Sequence, residues 1–447
     1  MASPEQIVVS VIFIFTFVLI ATERLHRTSS ALFGALLMVV AGSAMNFYPI
    51  SSSGGAGEGA FEHIDFNTIG LLFGMMVIVG VVMETGFFEF LAIKVAKFAR
   101  GDVWKIMMLF VIVTATASAF LDNVTTILLM IPITISIANT LEISPMPLVM
   151  AEILSSNIGG AATVIGDPPN IMIASQAEIP FITFILNIGP IIIVTMLVSV
   201  YLLKWMYKDD LRQKPKHIDV LMDRDERKEI KNMRLLMKSG VVLLFVIIFF
   251  MFHHVVHVPI SVIALTGAVV LLVWGNIHPG EALQHVHWST LLFFIGLFVL
   301  VGGVVEVGIM EVLAGGLAYV SGGNLFAALF IIVWLSALAS TVVDNIPFTA
   351  TMIPLIAALE VSGPFVGQIG QFVVNPMWWA LAIGACLGGN GSLVGASANL
   401  VGAGISEKFG HPISFKSFFF RAFPFMLATL LVATVLLMVT VGIQLLL

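Results

Sequence analysis

Cysteine occurs once in 447 residues, at Cys386, so the chain can form no internal disulfide and no thiol-rich metal centre. Cys386 itself reads as a small helix-packing residue. Charge is scarce too: Asp, Glu, Lys and Arg make up 10% of the chain, against about a quarter in soluble domains. No GxxxxGK and no HExxH occurs, so nothing supports ATP-driven work by this chain alone or metalloprotease activity, while a partner ATPase stays open. Nucleic acid is no expected partner of so uncharged a chain. What is abundant is apolar: 59% of residues are hydrophobic and the mean hydropathy is +1.08. Twelve apolar runs, from 7–25 to 417–447, leave no room for a soluble catalytic domain; a crossing helix needs about 20 such residues. The first run has no basic segment before it and no cleavage site after it, which predicts a retained helix and a mature chain beginning near Met1.

The chain repeats itself. Residues 63–91 match 285–313 at an offset of 222 (285 − 63), pairing Gly74 with Gly296, Gly80 with Gly302, Glu84 with Glu306 and Glu89 with Glu311. The register continues to Asp122/Asp344, Asn123/Asn345 and Pro132/Pro354. Further on, GGAATVIGDPPN (159–170) matches GGNGSLVGASAN (388–399) at 229 (399 − 170), which puts seven extra residues in the stretch 362–376.

Positive charge sets the orientation. All 20 Lys and Arg fall in four clusters: Arg24 and Arg27; Lys94 to Lys105; Lys204 to Lys238; and Lys408 to Arg421. One face can hold them all only if 103–140 and 324–361 dip into the membrane and return. Each half then has five crossings, the second half enters upside down, and both termini lie outside an inner membrane. The resulting layout is an all-α polytopic protein. Repeat 1 (1–206) contains the hairpin 103–140 and a broken helix at 147–176; repeat 2 (239–447) contains the hairpin 324–361 and a broken helix at 377–406. The runs 68–92 and 290–314 read as continuous spans. The stretch 207–238 reads as a charged cytoplasmic linker with a short amphipathic helix, or as a docking site.

Non-helical backbone at membrane depth survives only inside protein or along a wet cavity. The hairpin turns around Asp122-Asn123 and Asp344-Asn345 need it, as do the interruptions Asn157 to Asn170 and Gly388 to Asn399, the first closed by Pro168 and Pro169. Paired interrupted helices in two halves of a membrane protein point to a transporter site near the midplane. The candidate binding residues are Asp122, Asn123, Thr125, Asn157, Gly159, Gly160, Thr163, Asp167, Asn170, Asp344, Asn345, Gly389, Asn390, Ser392 and Asn399. Carboxylates buried in a bilayer are functional by default, so Asp122, Asp344, Asp167, Glu84 and Glu306 are coupling candidates. Glu84 and Glu306 could equally brace the hairpins. Sodium could sit at Asp122, Asn123, Asp344 and Asn345, or a proton could couple instead; no other cofactor is implied. Asp167 faces Ala396 in the alignment, so its site is asymmetric. Glu89, Glu311 and Glu152 read as structural, and His253, His254 and His257 as interfacial rather than metal-binding.

The segments LDNVTT (121–126), NIGGAATVIGDPPNIMI (157–173) and VMETGFFEF (82–90) resemble the ArsB/NhaD permease branch of the ion transporter superfamily, in particular the melanosomal P protein and its bacterial relatives. The resemblance implies a dimeric scaffold with a moving transport unit, elevator-type alternating access, and a substrate such as arsenite, a cation exchanged for protons, or another small anion. Sodium-coupled carboxylate relatives carry Ser-Asn-Thr at the hairpin tip. Here Asp122 or Asp344 replaces the Ser, and Val124 or Ile346 the Thr; added negative charge suits cation coupling or a neutral substrate better than a dianion. The expectation is an ion-coupled transporter of a small inorganic ion or oxyanion, with sodium/proton antiport, carboxylate transport and an ion channel as alternatives. Membrane lipid and a second copy of the chain are the expected partners. Two symmetry-related aspartates also suggest a protease dyad, but intramembrane aspartyl proteases share a Gly-x-Gly-Asp motif, and Val164 stands where its first Gly would be. The chain is therefore not expected to be an enzyme.

Overall fold

A computed structural model describes residues 3–22, 24–48, 58–361 and 363–446, which leaves Met1 and part of the Lys- and Arg-free loop 51–66 beyond the described residues. No strand occurs among the described residues. Repeat 1 comprises α1 (Pro4–Thr22), α2 (Arg27–Met45), α3 (Phe66–Glu84), α4 (Phe87–Phe98), a hairpin of α5 (Val103–Phe120) and α6 (Asn123–Thr140), a broken helix of α7 (Met146–Gly160) and α8 (Pro168–Gln176), and α9 (Phe181–Met206). The linker carries α10 (Ile218–Asp223). Repeat 2 follows with α11 (Met233–Val256), α12 (Ile260–Gly275), the single turn α13 (Pro279–Ala282), α14 (Trp288–Glu306) and α15 (Ile309–Val320). It continues with the hairpin α16 (Leu325–Val342) and α17 (Asn345–Val361), the single turn α18 (Val366–Ile369), the broken helix α19 (Pro376–Gly388) and α20 (Ser397–Lys408), and α21 (Phe415–Gln444). Ten of the described helices are long and apolar enough to cross a membrane. The two inverted repeats make an all-helical polytopic membrane protein.

The apolar runs 68–92 and 290–314 are not the continuous spans their hydropathy suggests. α3 ends at Glu84 and α14 at Glu306, and in each the chain turns through a glycine in the left-handed region, Gly86 (φ 79°) and Gly308 (φ 73°). Left-handed backbone costs glycine nothing and other residues about 1 kcal/mol or more. Both turns feed amphipathic helices, α4 and α15, that lie against the hairpin helices α6 and α17. Hydropathy registers the apolar content of such a segment and is blind to the reversal of its backbone.

Two layers result. In one, helices of opposite repeats cross: α2 on α14, and α3 on α12, flanked by α1 and α11. Small residues let the backbones approach. A Cβ at Gly74 would lie 2.6 Å from the Ala264 carbonyl carbon, and one at Gly296 would lie 2.9 Å from that of Ala31. Gly74→Val and Gly296→Val should each cost about 1–3 kcal/mol through overpacking, read as a lower Tm in detergent; an unchanged Tm would mean that these crossings are loose. In the other layer α5 packs on α7 and α16 on α19, and the repeats exchange halves, α6 against α20 and α17 against α8, with α9 and α21 alongside.

The charged linker is more than a solvated tether. The Lys216 amide donates to the Leu141 carbonyl (2.9 Å), Lys216 Nζ to Glu142 (2.9 Å), Lys97 Nζ to Glu226 (2.7 Å), and the Lys231 amide to the Thr85 carbonyl (2.9 Å), while Leu221 is buried. The linker thus docks on repeat 1 at α4 and at the α6–α7 turn. Hydrogen bonds from Lys216 and His217 hold the Glu142 carboxyl below its ordinary 4.5, and Glu142 holds Lys216 above its ordinary 10.5. A lowered carboxyl stabilises the docked form above 4.5 and loses that as pH falls through the docked value; a raised ammonium stabilises it below 10.5 and loses that as pH rises. Amide exchange at 216–218, corrected for intrinsic rates, should be slowest between these limits. A flat profile would mean that the Glu142 contacts contribute nothing.

Candidate functional site

Each hairpin turn starts its second helix with an aspartate. Asp122 accepts the Thr125 amide at 2.9 Å and the Thr125 hydroxyl as well, and Asp344 accepts the Ile346 amide at 3.1 Å. Between α7 and α8 the backbone runs extended at Asp167 (φ −143°, ψ 133°), where Pro168 and Pro169 open α8; between α19 and α20 it runs extended at Ala396 (φ −148°, ψ 143°). The N-termini of α6, α8, α17 and α20 therefore meet at one place. Exposed amides at such ends favour anions, although Pro168 and Pro169 bring none to α8.

They border a cavity of about 30 Å³, reached by Asp122, Asn123, Asp167, Asn345 and Ser397 from the hairpin layer and by Arg27, His287 and Thr290 from the crossing helices. Asp167, 1% exposed, accepts Asn345 Nδ2 at 3.0 Å. Asp344 accepts Ser397 Oγ at 2.6 Å and the Arg27 guanidinium at 3.1 Å, and Arg27 also reaches Ser397. Three carboxylates and one guanidinium thus stand among amides and hydroxyls: the oxygen ligands suit sodium or a proton, and the guanidinium with the helix N-termini suits a small anion.

Behind the cavity an asparagine network locks the two breaks together. Asn157 Nδ2 donates to Asn390 Oδ1 (2.9 Å) and Asn399 Oδ1 (2.8 Å), and Asn157 Oδ1 accepts Asn123 Nδ2 (3.2 Å). Asn399 Nδ2 closes on the Gly389 and Ser392 carbonyls, both at 2.7 Å, and Asn170 Nδ2 on those of Gly160 (3.2 Å) and Thr163 (2.9 Å). Thr163 and Ser392 tie the breaks to the hairpins through the Ala119 and Thr341 carbonyls. Gly159 and Gly388 lie where α7 and α19 cross α5 and α16.

Most of the sequence-derived candidates therefore converge, in two tiers: Asp122, Asn123, Asp167 and Asn345 at the cavity, with Asp344 joined to it through Arg27 and Ser397, and Asn157, Asn170, Asn390, Asn399, Thr163 and Ser392 behind it. Glu84 and Glu306 stand elsewhere. Glu84 pairs with His285 (2.8 Å) and Glu306 with His63 (3.1 Å), two repeat-related contacts at opposite ends of the α3–α14 pair. Both pairs join one repeat to the other. Glu152 is fully buried, with Oε1 accepting Thr134 Oγ1 at 2.7 Å. Glu311 borders a separate cavity of about 370 Å³ beside His63 and Asp65, and His253 Nε2 accepts the Phe181 amide at 3.3 Å.

Sequence reasoning missed Arg27, Ser397, Thr290 and His287, and it took Cys386 for packing alone. The Cys386 thiol donates to Asn170 Oδ1 at 3.3 Å, as Asn157 does to Asn399. A signal was present: the 229-residue offset sets Cys386 against Asn157 (386 − 157). Arg27 had none, since its partner is 317 residues away.

Residues 17–384 match the family of citrate transporters called CitMHS. An uncharacterized transporter of Mycobacterium tuberculosis is 42% identical over 414 residues, covering 92% of this chain and 93% of that protein. The P protein of Homo sapiens is 35% identical over 490 residues, covering 92% of this chain and 57% of that protein. The crystal structure of the YdaH transporter of Alcanivorax borkumensis, with its unusual topology, superposes with a TM-score of 0.64 over 94% of this chain and 99% of that one; at 13% identity the likeness carries the fold alone.

Proposed function

Because the chain belongs to the CitMHS family of citrate transporters and is a secondary membrane transporter rather than an enzyme, we propose that it couples a small inorganic ion or oxyanion, of the arsenite-permease type, to sodium or protons. One observation carries this reading: four helix N-termini, the carboxylates of Asp122 and Asp167 and the Arg27 guanidinium surround a cavity of about 30 Å³, room for a water-sized species, between two layers of helices, with Asp344 held behind Arg27 and Ser397. Alternating access then consists of the hairpin layer, α5–α9 and α16–α21, moving as an elevator past the crossing helices. We place both termini outside the inner membrane with the linker in the cytoplasm, and a homodimer through the crossing-helix layer. Sodium/proton antiport shares this machinery and differs only in cargo.

A carboxylate substrate is the second reading. Arg27 favours it, since a substrate carboxylate could take the guanidinium from Asp344, and the family's description points the same way. Transport into proteoliposomes holding a pH-sensitive dye separates these cases when sodium, arsenite and citrate are added in turn to wild type and Asp122→Asn. Arsenite movement supports the oxyanion reading; sodium-evoked proton flux alone makes the protein an antiporter; citrate uptake alone replaces the first reading by the second. Asp122→Asn keeps the cap on α6, because asparagine caps as well as aspartate. Its coupled flux should fall about tenfold or more, the equivalent of 1.4 kcal/mol, and an unaffected variant would remove Asp122 from the site.

A further inference from the structure

The two hairpin tips are repeat-related in sequence and unequal in surroundings. Asp344 is salt-bridged to Arg27 of the crossing-helix layer, whereas the side-chain hydrogen bonds of Asp122 go to Thr125 of its own hairpin. The repeat explains which contact is special. Ala31, Leu32, Gly34 and Ala35 of α2 fall on Ala264, Leu265, Gly267 and Ala268 of α12 at an offset of 233 (264 − 31). The packing obeys the same register, because Gly296 lies on Ala31 as Gly74 lies on Ala264. So do the neighbours: Thr28 Oγ1 donates to the Ser289 carbonyl, and its counterpart Ser261 donates its amide to Asn67, the counterpart of Ser289. In that register Arg27 falls on Ile260. The guanidinium that meets one hairpin tip has no equivalent for the other.

The docking is one-sided as well. α17 packs on α14 and α8 on α3, while the repeat-related pairings, α6 with α3 and α20 with α14, are slighter among the described residues. The structure therefore holds the repeat-2 hairpin against the crossing helices with its tip at Arg27. In an inverted repeat the opposite access state exchanges the two environments, which would set Asp122 beside Ile260 and take Asp344 away from Arg27.

We propose that Arg27 is a built-in counter-cation that expels the coupling ion from Asp344 in one access state only. The proposal rests on the ion-coupled, alternating reading above. An arginine stays charged throughout, and a carboxylate already neutralised by a guanidinium has little attraction left for a second cation. As the repeat-2 hairpin seats itself, the guanidinium takes the place of the bound cation at Asp344, with Ser397 bonded to both, and the ion leaves on the Arg27 side. When the hairpin withdraws, Asp344 regains its negative charge and can load again. Ile260 gives Asp122 no such competitor, so discharge has a direction that the doubled fold by itself lacks. Asp122, Asp167 and His287 face the same cavity and set the remaining field. Arg27 acts here through Asp344 and is a positioning residue, with no contact to cargo required.

The test compares wild type, Arg27→Lys, Arg27→Gln, Asp344→Asn and Arg27→Gln/Asp344→Asn. Sodium is titrated at several fixed pH values against the Tm of the purified protein and against flux in proteoliposomes. Loss of the competitor should tighten apparent sodium or proton affinity about tenfold in Arg27→Gln, the scale of one hydrogen bond to a charged group, and should slow turnover. Arg27→Lys should restore most of the wild-type behaviour, and in the Asp344→Asn background Arg27→Gln should change nothing further. Unchanged affinity in Arg27→Gln, or an equal effect with and without Asp344, overturns the role given to Arg27 while ion coupling stands. A wild type that answers neither to sodium nor to protons overturns ion coupling itself and this role with it.

Discussion

Asp167→Asn is expected to lower coupled transport about a hundredfold or more while the protein still folds and inserts. The side chain is buried at the start of α8, its Oδ2 accepts Asn345 Nδ2 at 3.0 Å, and the repeat puts Ala396 in the matching place. Asparagine has the same shape and can still accept from Asn345 through its own oxygen, so packing should survive. What disappears is the charge. An amide can neither bind a proton at physiological pH nor balance a cation, and a hundredfold loss corresponds to about 2.7 kcal/mol of lost electrostatic stabilisation. Coupled flux should collapse while Tm stays within a few degrees of wild type. Coupled flux above about a third of wild type would exclude Asp167 as a coupling group and leave that role to the hairpin aspartates alone.

Asn157→Leu should be the most damaging single change to stability. The side chain is fully buried and joins three others: it donates to Asn390 and Asn399 and accepts from Asn123, at 2.8–3.2 Å. Leucine branches at the same carbon and is bulkier, so no cavity forms and some overpacking adds to the cost, but it offers no polar atom. Asn390 Oδ1, Asn399 Oδ1 and Asn123 Nδ2 each lose a partner where water has no ready access. At about 1–3 kcal/mol per unsatisfied buried group, the loss is about 3 kcal/mol or more, a large share of a protein's net stability. Size-exclusion profiles and Tm in detergent measure it. Cys386→Ser is the informative contrast, because a hydroxyl replaces the thiol as donor to Asn170 and should cost about 1 kcal/mol or less. A stable Asn157→Leu protein would mean that the breaks are held by their carbonyl contacts instead.

Much of this arrangement could be read in the residues beforehand, for reasons that differ from place to place. The hairpins and broken helices announce themselves because Gly, Pro, Asp and Asn have strong local consequences, and because each pattern occurs twice. Glu84 and Glu306 also matched across the repeat, yet their partners His285 and His63 fix them away from the cavity, and repetition alone cannot distinguish a brace from a binding group. The turn at Gly86 is hidden in an apolar run, since hydropathy is a sum over side chains and the reversal is a property of one φ angle. Arg27 was legible only as a charge near the membrane surface. Its contact with Asp344 depends on how far the repeat-2 hairpin reaches across the fold, which no local pattern encodes.

The crossing of α2 on α14 and of α3 on α12 bears on how such a chain could have arisen. A single half leaves the tight faces at Ala31 and Gly74 uncovered, because each is covered by the other half. A free-standing ancestor of one repeat would have had to enter the membrane in both orientations and pair upside down with itself. Fusion then fixed one copy each way, and from that point the two copies could drift apart, one keeping an isoleucine where the other carries an arginine.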